Sequence, residues 1–325
     1  NSFLIKYSCD MSGRILITGA NGQLGTVLSH ELSKKHGVQN VVVSDINPQT
    51  NTPFIFEKVN VCESCELNAV IVKYQITQIY HLAAILSADG ESDPLRSWKV
   101  NVEGWLNVLE AARKHNIQKL FFPSTIGVFG PSSAKVDTPN NSFLDPLTVY
   151  GVSKSACELW SNYYAMKYGL DIRSIRYPGV MSYQSIPEGG TTDYAVEMFY
   201  YAIKEKPYIC YLEKNTRLPM IYIDDAIHAT LEIMDVPIEK INVKSSYNIS
   251  GLSFDPEMIT AELRAHIPNF QIRYQPDFRQ QIAAQWPISI DDSQARKDWG
   301  WKPKYCLDEI VALMIEGFRA AFNEK

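Results

Sequence analysis

One strand-to-helix junction constrains this chain more than any other feature. Ile15-Leu16-Ile17 reads as a short buried strand, and Gly19-Ala20-Asn21-Gly22-Gln23-Leu24-Gly25 follows almost at once. A helical pattern then runs over residues 24–36 and stops at Gly37, which suits a left-handed C-terminal cap. A helix N-terminus carries unpaired N–H groups and a partial positive charge. Glycines at that turn let the backbone approach an anion without a Cβ clash. The spacing is G-x-x-G-x-x-G rather than G-x-G-x-x-G. It predicts a pyrophosphate cradle made by Gly19, Asn21, Gly22, Gln23, Leu24 and Gly25.

The rest of the first half alternates strand and helix. Strands are expected over 41–45, 54–61, 79–82, from 120 and over 172–177, with helices over 64–74, 100–115 and 147–168. Such alternation builds a parallel sheet covered on both faces, the doubly wound α/β fold. After Tyr177 the rhythm breaks, and helical patterns return over 225–234, 256–266 and 307–322. This reads as a dinucleotide-binding domain of residues 11–177 plus 220–250 and a smaller, discontinuous mixed α/β substrate lobe of 178–219 plus 251–325. The first ten residues hold one Lys, one Asp and no Arg, which makes a poor transit peptide as they stand.

Asp45 ends the second strand, 20 residues beyond Gly25. A carboxylate there accepts hydrogen bonds from ribose hydroxyls and repels a 2′-phosphate, which favours NAD over NADP. A strand-end turn aspartate is the plainer reading. Asn60 and Val61 lie where adenine contacts fall. Leu82-Ala83-Ala84 would let the backbone pass close to the cofactor, and Asn101, at an expected helix start, orders its turn or merely caps it. The formal charge of −5 and the lack of a basic cluster argue against nucleic acid as a main partner. No run of 18 apolar residues predicts a membrane span. The six cysteines are scattered, and Cys62 and Cys65 have neither a second pair nor a nearby His, so no metal is expected.

Tyr150-Gly151-Val152-Ser153-Lys154 puts a phenol and an amine four residues apart on one helix face. An ammonium beside the ring is expected to lower the phenol's pKa, so that tyrosinate takes a proton from an alcohol while hydride leaves the carbon. Thr125 and Ser124 compete as the hydroxyl that holds the reacting oxygen. Of the histidines, His81 sits in an expected buried strand, and none of the others is needed as a base.

Together Gly19–Gly25, Leu82-Ala83-Ala84, Ser124-Thr125-Ile126-Gly127-Val128-Phe129-Gly130 and Tyr150–Lys154 resemble the extended short-chain dehydrogenase/reductases, which include nucleotide-sugar epimerases and dehydratases. The resemblance covers nearly all of the chain after Met11. It implies Thr125 rather than Ser124 as the hydroxyl residue, Lys154 on the nicotinamide ribose and Tyr177 at the cofactor. Two departures set the chain apart from the sugar-nucleotide enzymes. Tyr177-Pro178-Gly179 lacks their Asn, and Leu218 stands where they carry Arg, with Arg217 one residue away.

Gly189-Gly190-Thr191-Thr192-Asp193-Tyr194-Ala195, Trp286-Pro287-Ile288-Ser289-Ile290-Asp291-Asp292-Ser293 and Asp298-Trp299-Gly300-Trp301 instead resemble the branch that oxidises L-threonine at its 3-hydroxyl. That resemblance implies 2-amino-3-oxobutanoate as product. Ser87, Gly190, Thr191 and Thr192 would hold the carboxylate through neutral donors, and Trp286 would close the pocket. Asp193 serves the ammonium or the helix dipole. Helix capping by the threonines and lobe packing by Trp286 are the plainer readings. The resemblance also implies a homodimer paired through two helices, with Trp105 and Trp160 at the seam, and a mitochondrial matrix or cytoplasmic location. A sugar-nucleotide epimerase or dehydratase and a non-catalytic NAD-sensing protein are the alternatives.

Overall fold

The computed structural model describes residues 13–49, 52–184 and 190–323. The reading of residues 1–10 and the Gly189 of the Gly-Gly-Thr-Thr motif lie outside them. Strand β1 (Arg14–Thr18) runs into helix α1 (Gln23–His36), and Gly37 ends the helix at φ 85°. Strands β2 (Val41–Asp45) and β3 (Ile55–Lys58) follow, then α2 (Ser64–Tyr74) and β4 (Ile76–His81). Two short helices, α3 (Ser87–Ser92) and α4 (Pro94–Trp98), lead through a π-helical turn at Lys99–Glu103 into α5 (Gly104–His115). Strand β5 (Lys119–Thr125), helix α6 (Val149–Tyr168) and β6 (Ile172–Tyr177) complete this half.

The second half adds β7 (Gly179–Met181), α7 (Tyr194–Ile203), β8 (Tyr208–Cys210), β9 (Leu218–Tyr222), α8 (Ile223–Asp235) and β10 (Tyr247–Asn248). It ends with β11 (Leu252–Phe254), α9 (Pro256–His266), β12 (Ile272–Tyr274), α10 (Phe278–Ala283), α11 (Ser293–Trp299) and α12 (Leu307–Asn323).

The main sheet has seven parallel strands in the order β10-β6-β5-β4-β1-β2-β3. The doubly wound expectation is met. From β1 the chain winds outward to β2 and β3, then returns to the other flank for β4, β5 and β6. The order reverses between β1 and β4, and in such sheets the crevice at the strands' carboxyl ends is where ligands bind. Alternate strand residues serve opposite faces. Ile15, Ile17 and Phe121 join the core beneath α1 and α8, while Leu16, Leu120 and Phe122 join the one beneath α2, α5 and α6.

The first of these cores continues into the smaller lobe. There β7 lies parallel and β11 antiparallel to β9, and β8 pairs with β12. Of the segment 220–250, Tyr247–Asn248 pairs with β6 and α8 packs on β5 and β6, while Met220–Tyr222 pair within the small sheet.

One expected helix differs in its start. The pattern over 100–115 begins instead at Pro94, and residue 101 lies inside the wide turn rather than at a helix start. Asp93 caps α4 by accepting from Arg96 N at 3.1 Å, and Pro94 fits the first helical position.

Candidate active site

The turn after β1 has three glycines with three different reasons to be there. Gly19 sits at φ 68°, and a Cβ on it would lie 2.5 Å from Ala83 N. A Cβ on Gly25 would meet Ala20 Cα and the Gly19 carbonyl at 2.6 Å. Gly22 is different: a Cβ there would meet only the Gly19 carbonyl, at 3.5 Å. The first two glycines let strand, loop and helix pack. The protein itself does not require the third, whose bare face opens on the cleft. Among the described residues no side chain caps α1, and its first turn lines the same space.

That cleft has a volume of about 640 Å³. Gly19, Asn21, Gly22, Gln23, Leu24 and Gly25 line one wall, and Asp45, Asn60, Val61 and Leu82-Ala83-Ala84 line the others. Asp45 accepts from Asn21 N at 3.2 Å and Asn47 N at 3.0 Å, so its carboxylate is fixed at the rim. Asn21 Oδ1 is buried without a partner among the described residues. A crevice with a helix N-terminus, a bare Gly22, an orphaned amide oxygen and a strand-end carboxylate fits a dinucleotide. Ile46, Asn47, Asp89, Arg96 and Val100 also line it and were not singled out in the sequence. The loop and the short helical pieces that carry them have no signature of their own.

Four expected cofactor residues stand outside that lining. Asn101 acts as a brace. Its side chain accepts from Ile85 N at 2.8 Å and donates to Ile85 O and Ser153 Oγ, both at 3.1 Å. It thereby ties the loop after β4 to α6, a role set by the wide turn and not by capping. Tyr177 is corrected: its hydroxyl bonds Thr230 Oγ1 and lies 3.5 Å from the Ala226 carbonyl on α8, away from the cleft. Tyr150 and Lys154 lie deeper.

Thr148 caps α6 by accepting from Gly151 N at 3.1 Å, which puts Tyr150 in the first turn. The end of β5 then sorts its two hydroxyls. Ser124 donates to Glu158 Oε1, while Thr125 accepts from Gly127 N at 3.1 Å and acts on the Tyr150 phenol. Successive strand residues face opposite ways, so Thr125 alone meets the phenol. Burial pushes the Tyr150 hydroxyl up to about 12, against the pull of Thr125. The expected depression by Lys154 is not found. Lys154 Nζ donates to the Pro123 carbonyl at 2.8 Å and lies 5.8 Å from the Tyr150 ring centroid. Burial brings that amine down to about 8, with Cys157 and Glu158 pulling the other way.

Behind these residues Arg176 and Glu158 form a buried ion pair, with Nε–Oε1 at 2.9 Å and Nη2–Oε2 at 2.7 Å. Neither partner was anticipated, because the pair joins residues from a helix and a strand that only the fold brings together. His81 bonds Thr18 Oγ1 at 2.8 Å, and burial lowers its pKa to about 3, so it stays neutral.

The smaller lobe roofs the site. Ser87 Oγ and Thr191 Oγ1 are 3.0 Å apart, and Thr191 N donates to Ser87 Oγ at 3.3 Å. Gly190 N donates to Asp193 Oδ2 at 2.7 Å, and Asp193 reaches the cleft lining. Neither threonine hydroxyl caps α7, so the capping reading gives way to contact across the lobes. Thr192 packs on Gly179, where a Cβ would lie 2.7 Å from its own. The Trp286 ring edge stands beside Gly127, 3.5 Å from where a Cβ on that glycine would sit. Thr125 and Trp286 thus meet at Gly127 in the turn after β5, and Ser87 and Thr191 meet each other. Gln23 Nε2 adds a further bridge to the Val180 carbonyl at 3.4 Å.

A parallel sheet with a glycine cradle at its reversal point and a Tyr-Lys pair beside it defines a nicotinamide-dependent short-chain oxidoreductase fold. The chain belongs to the NAD dependent epimerase/dehydratase family, whose model matches residues 15–250. Among its relatives, mitochondrial L-threonine 3-dehydrogenase of Bos taurus is 46% identical over 308 residues, covering 93% of this chain and 82% of that protein. The holo form of a GalE-like L-threonine dehydrogenase from Cupriavidus necator superposes with a TM-score of 0.92 at 47% identity, covering 93% of this chain and 99% of that one. UDP-glucose 4-epimerase of Thermotoga maritima superposes at 0.83 over 95% of this chain and 99% of its own. At 23% identity that likeness concerns the fold alone.

Proposed function

We propose that this chain oxidises L-threonine at its 3-hydroxyl with NAD, giving 2-amino-3-oxobutanoate and NADH. The observation that carries this reading is the Thr125 hydroxyl set toward the Tyr150 phenol, with the glycine-lined cleft on one side and neutral donors on the other. The relatives named for L-threonine oxidation support the choice of substrate. Arg217 does not favour a sugar diphosphate, since its guanidinium donates to the Ser253 carbonyl at 3.0 Å on an exposed face.

Gly19, Gly22, Gly25 and the N-terminus of α1 would hold the diphosphate, and Asp45 the adenosine ribose. NAD, when bound, supplies the acceptor for the hydride that leaves carbon 3. Thr125 holds the 3-hydroxyl oxygen, and Tyr150, as phenolate, takes its proton. Lys154, held on the Pro123 carbonyl and drawn away from the phenol, would hold the nicotinamide ribose. Ser87, Thr191 and Thr192 offer a carboxylate only uncharged donors, whereas Gly190 N is given to Asp193, which suits an ammonium. Trp286 and the Ser87–Thr191 contact keep water from the labile keto product.

The division into a nucleotide domain of 11–177 plus 220–250 and a substrate lobe of 178–219 plus 251–325 belongs to the same reading. So does pairing of two copies through α5 and α6, where Leu159, Trp160, Tyr163 and Met166 are exposed on α6. Trp105 takes no part in that seam: it is fully buried and donates to Ser161 Oγ at 3.1 Å. A mitochondrial matrix location rests on the compartment given for the bovine relative, and bacterial relatives fit a cytoplasmic one.

The deciding experiment follows reduced nicotinamide by absorbance after adding L-threonine, L-serine or UDP-sugars to enzyme and NAD. Threonine-dependent NADH formation is expected. No net NADH with threonine, together with interconversion of a UDP-sugar, would overturn the reading in favour of an epimerase.

A further inference from the structure

The charges along the cleft are lopsided. Four carboxylates line it: Asp45, Asp89, Asp93 and Asp193. Among the described residues a single basic side chain, that of Arg96, lines it with them. Lys154, the other cation near the site, is buried beyond the lining and donates to the Pro123 carbonyl. A dinucleotide brings two negative charges into this setting. The N-terminus of α1 offsets part of that charge, and the nearest carboxylates oppose it.

Arg96 sits on α4, one turn before Val100, which lines the same cleft. Its backbone N–H is used by Asp93, while its guanidinium forms no ion pair or hydrogen bond among the described residues. It is exposed, so it carries no packing of its own. Building on the dinucleotide reading above, we propose that Arg96 closes over the cleft and holds the diphosphate of the cofactor from the side opposite the glycine turn. A guanidinium offers paired donors that match two phosphate oxygens, and it stays charged throughout the working pH range.

The assignment is tested by titrating the full-length protein with NADH, read by its fluorescence, and by competing the NADH off with ADP-ribose or with adenosine. Arg96→Met is expected to bind NADH and ADP-ribose about tenfold to a hundredfold more weakly, to bind adenosine as the wild type does, and to melt at the wild-type temperature. Its NADH affinity should also depend less on salt. Arg96→Lys should recover part of the loss. Wild-type affinity for ADP-ribose in Arg96→Met would overturn the assignment. So would an equal loss for adenosine, since Arg96 would then be covering the base. Wild-type protein that bound neither NADH nor ADP-ribose would overturn the dinucleotide reading itself, and this assignment with it.

Discussion

Thr125, the last residue of β5, sets its hydroxyl toward the phenol of Tyr150 in the first turn of α6 and draws that phenol's pKa down against burial. Thr125 is held in turn by Gly127 N at 3.1 Å. Removing either hydroxyl should leave the fold intact and cut turnover. Tyr150→Phe is expected to lose about 10²–10⁴-fold or more in kcat, the range of a lost general base. Thr125→Val should lose roughly tenfold to a hundredfold. Initial rates of NADH formation read both. Wild-type turnover by Tyr150→Phe would end the acid–base assignment.

The pH profile follows from two buried groups. Tyr150 is raised to about 12, so at neutral pH the phenol holds its proton and the base form is scarce. Each unit of pH multiplies that form about tenfold until the pKa is reached. Lys154 is lowered to about 8, so its ammonium disappears above that pH. We expect log(kcat/KM) for threonine to rise steeply up to pH 8 and more slowly beyond. A rate that is flat from pH 6 to 10 would contradict the assignment.

The glycine turn separates a ligand requirement from a folding one. Gly22→Ala adds a methyl that meets only one carbonyl, at 3.5 Å, so its melting temperature should match the wild type while NADH binding falls. Gly25→Ala drives a methyl to 2.6 Å from the backbone of residues 19 and 20 and should lower the melting temperature. Calorimetry and NADH titration on both variants check the pair. Equal effects in the two would mean that the turn does not open on the cofactor.

Much of this was legible in the sequence because local rules carried it. The Gly19–Gly25 turn, the strand rhythm and the one-turn separation of Tyr150 and Lys154 are set by residues close to one another in the chain. What was illegible depended on where side chains turn after packing. Lys154 lies on the expected helix face, yet Phe122 and the Pro123 carbonyl draw it away from the phenol. Tyr177 sits at the expected strand end, yet its hydroxyl is taken by Thr230 from a helix 53 residues on. Asn101 orders its surroundings and does not cap a helix, and the π-helical turn that holds it leaves no trace in hydrophobic periodicity. Arg96 belongs to a short helix with no motif.

The buried pair of Glu158 and Arg176 sets a stability prediction. Arg176 also donates to the Asn140 carbonyl at 2.7 Å and to Asn248 Oδ1 at 3.2 Å, so it cannot retreat to water. Glu158→Gln leaves that guanidinium without its counter-charge and should cost about 3–5 kcal/mol. Changing both residues together, Glu158→Leu with Arg176→Met, should cost less than the single change. Urea denaturation of the three proteins gives the comparison. A double variant that loses more stability than Glu158→Gln alone would show that the pair does not act as a unit.

The short strand β10 has a consequence for how the molecule is made. It completes the main sheet beside β6, yet in the chain it comes after β7 and β9 of the small sheet. Until Tyr247 and Asn248 emerge from the ribosome, β6 presents a bare row of amides and carbonyls to whatever strand passes. The nucleotide half therefore cannot mature ahead of the rest during synthesis, and a fragment ending before residue 247 should be recovered as aggregate rather than as a working half-enzyme.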